Sequence, residues 1–491
     1  MTMTAAPQPP PHDRPTEAPA IGQEKHPHGK MLHPVIMMMW VLAAALALTY
    51  LVSSGQFDRT GKLVVPDTYH VVPKTQGIET LISPSVTHST SDHAAPASLV
   101  SAFVAVPDGL IQNAPLIFMV LFVGGMFGVM RKTGVVDAGI DRLLQLTAGN
   151  IYVLAPLLMI ILGLGSTLLG FISEYLVIIP VVMVLAKRLG LSNLFAVGLV
   201  AIAGKIGYIA SVTNPLSLAV AQPLVGLPLL SGIGLRITVF IVFLAVGILY
   251  LLYHVKKGGY RPDMMRETLR EQSPSHTQLL GRHKANLLVL VLAAGVLIFC
   301  TREFKWGNVQ LSAFYILVSI IVATVGRLNS RTASDAFIEG MKGMMLAGLL
   351  IGLAASVELI LRNSMVLDTL INYFTQLARG QSAVWVANGL MGVQMVLDVF
   401  IPSVSGKAAV SMPIIGPIAQ LSGVSAQTSV LAFILGGGLT NMVTPTSGML
   451  LAYLATARVS FTEWIKFIFP LFVILCLLSA ATLAFAVLSG Y

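Results

Sequence analysis

Nine stretches of the chain stay apolar over the roughly 20 residues that a helix needs to cross a bilayer. They are 36–54, 113–131, 193–217, 233–254, 286–302, 308–327, 340–362, 425–447 and 464–488. Two further stretches, 151–188 and 382–422, run to about twice that length. Each is interrupted at its middle by small and polar residues. The first interruption is Gly163-Leu-Gly-Ser-Thr-Leu-Leu-Gly170 followed by Phe-Ile-Ser-Glu174. The second is Phe400-Ile-Pro-Ser-Val-Ser-Gly-Lys407. Irregular backbone at membrane depth survives only where protein buries it or where it lines a cavity. Both long stretches therefore read as re-entrant hairpins, each entering and leaving from one side. The expected fold class is an all-α polytopic membrane protein.

Composition excludes the other broad classes. Only 10% of residues are charged, against roughly 25% in a soluble domain, too few to cover a water-facing surface. A soluble enzyme, a nucleic-acid binder and a disordered chain are ruled out. The net charge of +9 marks cytoplasmic loops rather than a nucleic-acid partner. Cys300 and Cys476 sit in apolar runs and offer neither a disulfide framework nor metal spacing.

Charge also sets the expected topology. Residues 1–30, rich in Pro, His and charge, read as a disordered cytoplasmic tail; His12, His26 and His28 lie there without a repeated metal-binding spacing. Segment 255–285 holds seven basic and three acidic residues and is the expected main cytoplasmic loop. Segment 55–97 has turn residues, mixed charge and a β-like Lys62-Leu-Val-Val run, and is placed outside. The scheme has the N-terminus in the cytoplasm and the C-terminus outside. The first hairpin opens to the cytoplasm between Lys132 and Arg188, the second to the exterior. Arg362 and Arg379 then lie outside, against the charge rule.

The two halves echo each other. Arg131-Lys-Thr-Gly-Val-Val-Asp137 matches Arg362-Asn-Ser-Met-Val-Leu-Asp368, and Gly149 matches Gly380, at the same spacing. Pro180 with Pro413 and Gly190 with Gly423 follow after a two-residue gap, and Val212-Thr213 then matches Val443-Thr444. Each unit reads as span, amphipathic segment (Asp137–Leu146 or Asp368–Leu377), hairpin and broken span. The spans preceding the two units run in opposite directions, so the expected repeats, 31–254 and 286–491, are inverted. Inverted repeats with interrupted helices mark secondary transporters, whose site lies near the midplane.

Four charged residues stand out within the apolar segments: Glu174, Lys205, Asp398 and Lys407. A charge at the bilayer centre costs about 2.5–3.5 kcal/mol on insertion scales and points to function. The four sum to zero, so two buried ion pairs are one reading. Exchange of one partner for a substrate charge or a proton is the other, and the two are compatible. The broken spans carry Ser211-Val-Thr-Asn-Pro215 and Asn441-Met-Val-Thr-Pro-Thr-Ser447. Proline removes a backbone donor there. Half-helix N-termini suit a carboxylate. The expected binding residues are Ser173, Glu174, Lys205, Ser211, Thr213, Asn214, Asp398, Ser403, Ser405, Lys407, Asn441, Thr444, Thr446 and Ser447. Gly436-Gly-Gly438 reads as a close-packing element, since no phosphate-binding pattern follows it.

Gly124-Gly-Met-Phe-Gly-Val-Met-Arg-Lys-Thr-Gly134, Gln222-Pro-Leu-Val-Gly-Leu-Pro-Leu-Leu-Ser-Gly-Ile-Gly-Leu-Arg236 and Ser403-Val-Ser-Gly-Lys-Ala-Ala-Val-Ser-Met-Pro413 resemble the YfcC-like carriers of the four-carbon-dicarboxylate anaerobic carrier family. The resemblance runs from about residue 36 to the end. It implies hairpins, inverted repeats, homodimers, elevator-like movement and carriage of basic amino acids or dicarboxylates. The chain departs from the family pattern. Ser173 precedes Glu174 where two glutamates are usual, Lys205 and Lys407 stand where glutamine is common, and Ala355 replaces a basic residue. One acid fewer and two lysines more favour an anionic carboxylate or a neutral amino acid over a cationic one. A lysine ammonium can also take the place of bound sodium, so the expected coupling ion is a proton, through Glu174 or Asp398, with sodium as the alternative. No cofactor is expected. The alternatives from another class are a polytopic membrane enzyme and a channel. The enzyme would want clustered His, Asp or Glu near a membrane surface, where no membrane-embedded His pair or His-Glu motif appears. The channel would want a ring of selectivity groups, whereas two opposed dead-end hairpins fit a gated site better. The partners expected are a small organic solute and the lipid of a cell inner membrane, with no nucleic acid.

Overall fold

The computed structural model describes residues 34–491, apart from 61–62, 66–67, 76, 91, 148–149, 229–230, 259–280, 305 and 378–380. The tail 1–30, most of the basic loop 255–285, Gly149, Arg379 and Gly380 lie outside the described residues. The fold is all-α and polytopic, with nine helices among the described residues long and apolar enough to cross a membrane.

The principal helices follow in order: α1 (Pro34–Leu51), α2 (Leu99–Gln112), α3 (Ala114–Lys132), α4 (Val135–Leu146), α5 (Ile151–Leu164), α6 (Ile178–Arg188), α7 (Asn193–Ala210), α8 (Pro215–Leu224), α9 (Ile233–Lys257), α10 (Gly281–Glu303), α11 (Asn308–Val325), α12 (Ser330–Gly343), α13 (Met345–Asn363), α14 (Leu367–Leu377), α15 (Ala383–Phe400), α16 (Val404–Leu421), α17 (Ala426–Thr440), α18 (Gly448–Ala457) and α19 (Phe461–Leu488). The expected spans coincide with helices to within a few residues, except that 193–217 and 425–447 are each cut by a break. Beyond the half-helices α8 and α18 that follow the breaks, α2 and α12 have no counterpart among the expected segments. α2 holds Pro107 and Asp108 and is too short to be noticed as a span. α12 is polar, with Ala336 its buried position, and reads in sequence as a loop.

The packing has a simple order. α2 lies on α13 and α3 on α12; α1 lies on α13 and α11 on α3. α5 packs on α7 and α15 on α17, α7 on α9 and α17 on α19, α8 on α16 and α18 on α6. Exchanging the first nine helices for the last nine leaves these pairs unchanged, with α10 outside the scheme. Small residues make the crossings close. A Cβ on Gly124 would lie 2.6 Å from the Gly340 carbonyl oxygen, and one on Gly109 2.5 Å from that of Gly352. Such contacts let membrane helices approach backbone to backbone.

The broken helices form the centre. α7 is buried at every residue from Phe195 to Ala210, and α17 from Gln427 to Thr440. Helices apolar on all sides belong in a core, and these two touch each other. α7 ends where Ser211 turns left-handed at φ 41°, and Pro215 opens α8. α17 ends at Thr440, and Ser447 then caps α18 by accepting the Leu450 N–H. At about 1.5 Å per residue, the ten residues of α8 or α18 cover only half of a hydrocarbon core about 30 Å thick.

The loop between α1 and α2 contains two short antiparallel strand pairs, Gly55–Gln56 with His70–Val71 and Arg59–Thr60 with Leu63–Val64. It is fastened to α14. Arg59 reaches both Asp368 oxygens at 2.8 and 2.9 Å, the Phe57 N–H donates to Asp368, and the Tyr69 and Thr369 hydroxyls lie 3.0 Å apart.

Candidate functional site

The second hairpin brings opposite charges together. Asp398 stands near the end of α15 and Lys407 in the first turn of α16, so the fold-back at Ile401–Ser403 sets them face to face. Lys407 Nζ donates to Asp398 Oδ1 at 2.6 Å, and both side chains are 1% exposed. Asp398 Oδ2 accepts from Asn441 Nδ2 at 2.6 Å. Asn441 Oδ1 in turn accepts the Ser447 hydroxyl at 2.8 Å. One relay thus joins hairpin, helix break and half-helix. The Lys407 ammonium also lies 4.9 Å from the Phe433 ring centre, a cation–π contact worth most when desolvated. The glycine run makes room for this pair. A Cβ on Gly437 would strike Lys407 Nζ and lie 3.2 Å from Asp398 Oδ1, while Gly436 abuts the Met391 backbone and Gly438 abuts Ile209.

Lys205 and Tyr208 of α7 approach this pair from the other half. Lys205 is 3% exposed and its charge acts on Asp398, whose own charge acts on the Tyr208 hydroxyl. Among the described residues the Lys205 ammonium has no hydrogen-bond or ion-pair partner. Two lysines thus lie around one carboxylate, and with both protonated the buried cluster carries one surplus positive charge. Buried charge in low dielectric demands a partner. An anion entering here would supply it.

The remaining expected residues divide into separate groups. Ser211, Thr213 and Asn214 are committed to the first hairpin and their own break. Thr213 donates to the Leu168 carbonyl at 3.1 Å and Asn214 to that of Ser166 at 3.3 Å. Ser211 donates to the Tyr208 carbonyl and meets Ser217 at 3.0 Å. Thr444 and Thr446 bond each other at 2.7 Å within the second break. Ser403 is exposed and accepts the Gly406 N–H; the Ser405 side chain lies outside the described residues. Ser173 and Glu174 form the tip of the first hairpin against α18, where Tyr453 donates its hydroxyl to the Ile172 carbonyl. Lys205, Asp398, Lys407, Asn441 and Ser447 are thus brought together, while Ser173 and Glu174 stand in a separate cluster.

Sequence reasoning passed over several residues. Gln394 lies one helical turn before Asp398 and donates to Ser411 at 3.1 Å, leaving its buried oxygen without a partner among the described residues. Thr167 receives the Val212 N–H at 2.9 Å and ties the first hairpin to its break. An amide four residues from an intramembrane acid was a readable signal for Gln394. Nothing in one dimension marks Phe433 or Tyr208. Among the described residues no group of three or more His, Cys, Asp or Glu is placed to hold a metal ion.

A polytopic helical core with charged groups buried around two broken helices defines a membrane transporter. The sequence profile of the C4-dicarboxylate anaerobic carrier family (DcuC) matches residues 31–488, and the chain belongs to that family. It is 29% identical over 489 residues, covering 93% of this chain and 96% of the relative, to an Escherichia coli (strain K12) protein named "Putative basic amino acid antiporter YfcC". It is 26% identical over 484 residues, covering 90% and 94%, to an uncharacterized protein of Haemophilus influenzae. Among solved structures it is similar to the Alcanivorax borkumensis YdaH transporter, with 16% identity, TM-score 0.43 and coverage of 94% and 99%. It is also similar to Neisseria gonorrhoeae MtrF, from a class of antimetabolite efflux pumps, with 13% identity, TM-score 0.46 and coverage of 93% and 95%.

Proposed function

We propose that this chain is a secondary carrier for a small carboxylate-bearing solute, an amino acid or a dicarboxylate, working by elevator-like alternating access. One observation carries the reading: Lys205 reaches the Asp398–Lys407 pair from the opposite half with no partner of its own among the described residues. A solute carboxylate is the group that this surplus charge would take. The solute then bridges the two halves, which is what a site read alternately from two sides requires. The symmetric packing supports two repeats, 31–254 and 286–491, in inverted orientation with re-entrant hairpins. We place the carrier as a homodimer in the inner membrane with its N-terminus in the cytoplasm and the 55–97 loop outside. Coupling is to a proton or to counter-transported solute.

Counterflow in proteoliposomes tests this. Labelled succinate, aspartate or alanine should enter against an unlabelled internal pool of the same solute, and Lys205→Met should reduce entry at least ~100-fold, the scale of losing a charged hydrogen bond worth about 3 kcal/mol. The name of the 29% identical relative favours a second reading, antiport of basic amino acids. Saturable arginine or lysine counterflow that survives Lys205→Met would establish it and overturn the first. A pH-independent, sodium-dependent signal would replace proton coupling with sodium.

A further inference from the structure

A second polar cluster lies at the tip of the first hairpin, where Ile172, Ser173 and Glu174 are half-buried. Glu174 Oε2 accepts the Ile172 N–H at 3.1 Å and the Ser173 hydroxyl at 3.3 Å, both from its own turn. Among the described residues no basic side chain pairs with this carboxylate. Its charge is felt instead by three tyrosines from three elements: Tyr175 of the tip, Tyr315 of α11 and Tyr453 of α18. Tyr175 donates its hydroxyl to the Leu162 carbonyl and Tyr453 donates to that of Ile172. Tyr315 is 2% exposed, and among the described residues its hydroxyl has no hydrogen-bond partner. α3 and α6 also pack on the tip. Their basic residues Arg131, Lys132, Lys187 and Arg188 are exposed at the helix ends, as is Arg458 just past α18. α11 contains no charged residue.

No resident cation pairs with this half-buried carboxylate among the described residues, so its charge is balanced by water or by something that comes and goes. A hard metal cation needs several oxygen ligands, but the Leu162 and Ile172 carbonyls already accept from tyrosines. A proton needs no further ligand. It forms one O–H bond on the carboxylate and breaks one in water. The buried Tyr315 hydroxyl, unpaired among the described residues, is available to pair with the acid form.

We propose that Glu174 is a proton-binding site separate from the lysine–aspartate cluster, with Tyr315 positioning its protonated form. Where the carrier reading holds, and this last step rests on it, the site gates the tip. The neutral acid seats under Tyr453 of the other half. Loss of the proton restores a charge that requires water and draws the tip out.

Infrared difference spectra of the full chain in liposomes, recorded on pH jumps with no solute present, test the site directly. A protonated-carboxyl band should titrate in the natural protein and vanish in Glu174→Gln. In Tyr315→Phe, which removes only an unpartnered hydroxyl, the band should persist with an altered frequency and a midpoint moved by about half a pH unit. Addition of sodium at fixed pH should leave it unchanged. A band that survives Glu174→Gln, that vanishes instead in Asp398→Asn, that ignores Tyr315→Phe, or that sodium displaces overturns the proposal. The carrier reading is scored independently by counterflow. A titrating band without counterflow would sink that reading and leave the proton site standing.

Discussion

At the residue scale, the charge arithmetic of the central cluster predicts unequal penalties. Lys407→Ala leaves Asp398 with the Asn441 hydrogen bond and the field of Lys205, so expression should persist while uptake is abolished. Asp398→Asn leaves two ammonium groups facing each other without a carboxylate. Stranding a buried charge costs about 3–5 kcal/mol, so thermal unfolding in detergent should begin at a clearly lower temperature than for Lys407→Ala. Equal midpoints would show that Lys205 does not share Asp398. Gly437→Ala should act without changing any charge. Its Cβ pushes on the Lys407 ammonium and should cut uptake at least ~10-fold, about 1.4 kcal/mol of lost positioning. An unaffected rate would mean that the ion pair is a strut rather than a binding group.

At the scale of elements, the matched acids Asp137 and Asp368 fasten the two amphipathic helices differently. Asp137 on α4 meets Arg188 of the first hairpin at 3.1 Å with both side chains exposed. Asp368 on α14 is 6% exposed and is held by Arg59 from the loop between α1 and α2. Burial pushes the Asp368 carboxyl up and the Arg59 guanidinium pulls it back. Arg59→Ala should therefore destabilise the protein by about 2 kcal/mol, between the values for exposed and buried pairs. Asp368→Asn, which removes the charge along with its need for a partner, should cost less. The reverse order in thermal melts would show that the loop is not anchored through this carboxylate. The same loop touches α16 through Leu63–Val64, so it spans both the amphipathic helix and the outgoing arm of the second hairpin.

At the scale of the whole molecule, alternating access requires the hairpin tips to change their exposure. Ser403 at the second tip is exposed. In a background with Cys300 and Cys476 replaced by serine, Ser403→Cys should react quickly with a membrane-impermeant thiol reagent, and a transported solute should slow labelling at least threefold, about 0.7 kcal/mol of protection. Identical rates with and without solute would remove the second hairpin from the gate.

Length and hydropathy alone made this chain a polytopic helical membrane protein, because roughly 20 apolar residues in succession have few other stable fates. Proline and polar residues at Ser211–Pro215 and Asn441–Ser447 marked the two breaks, since backbone that loses hydrogen bonds in a core must regain them locally. The charged residues Lys205, Asp398 and Lys407 were conspicuous for the same reason. Which of them meet was not readable. Nine residues separate Asp398 from Lys407, and only the fold-back of the second hairpin brings them to 2.6 Å. Glu174, in the equivalent place on the first hairpin, finds tyrosines from α11 and α18 instead of a lysine. Hydrophobicity is carried residue by residue along the chain, whereas an ion pair depends on distance and burial, and those exist only once α7 and α17 have packed together.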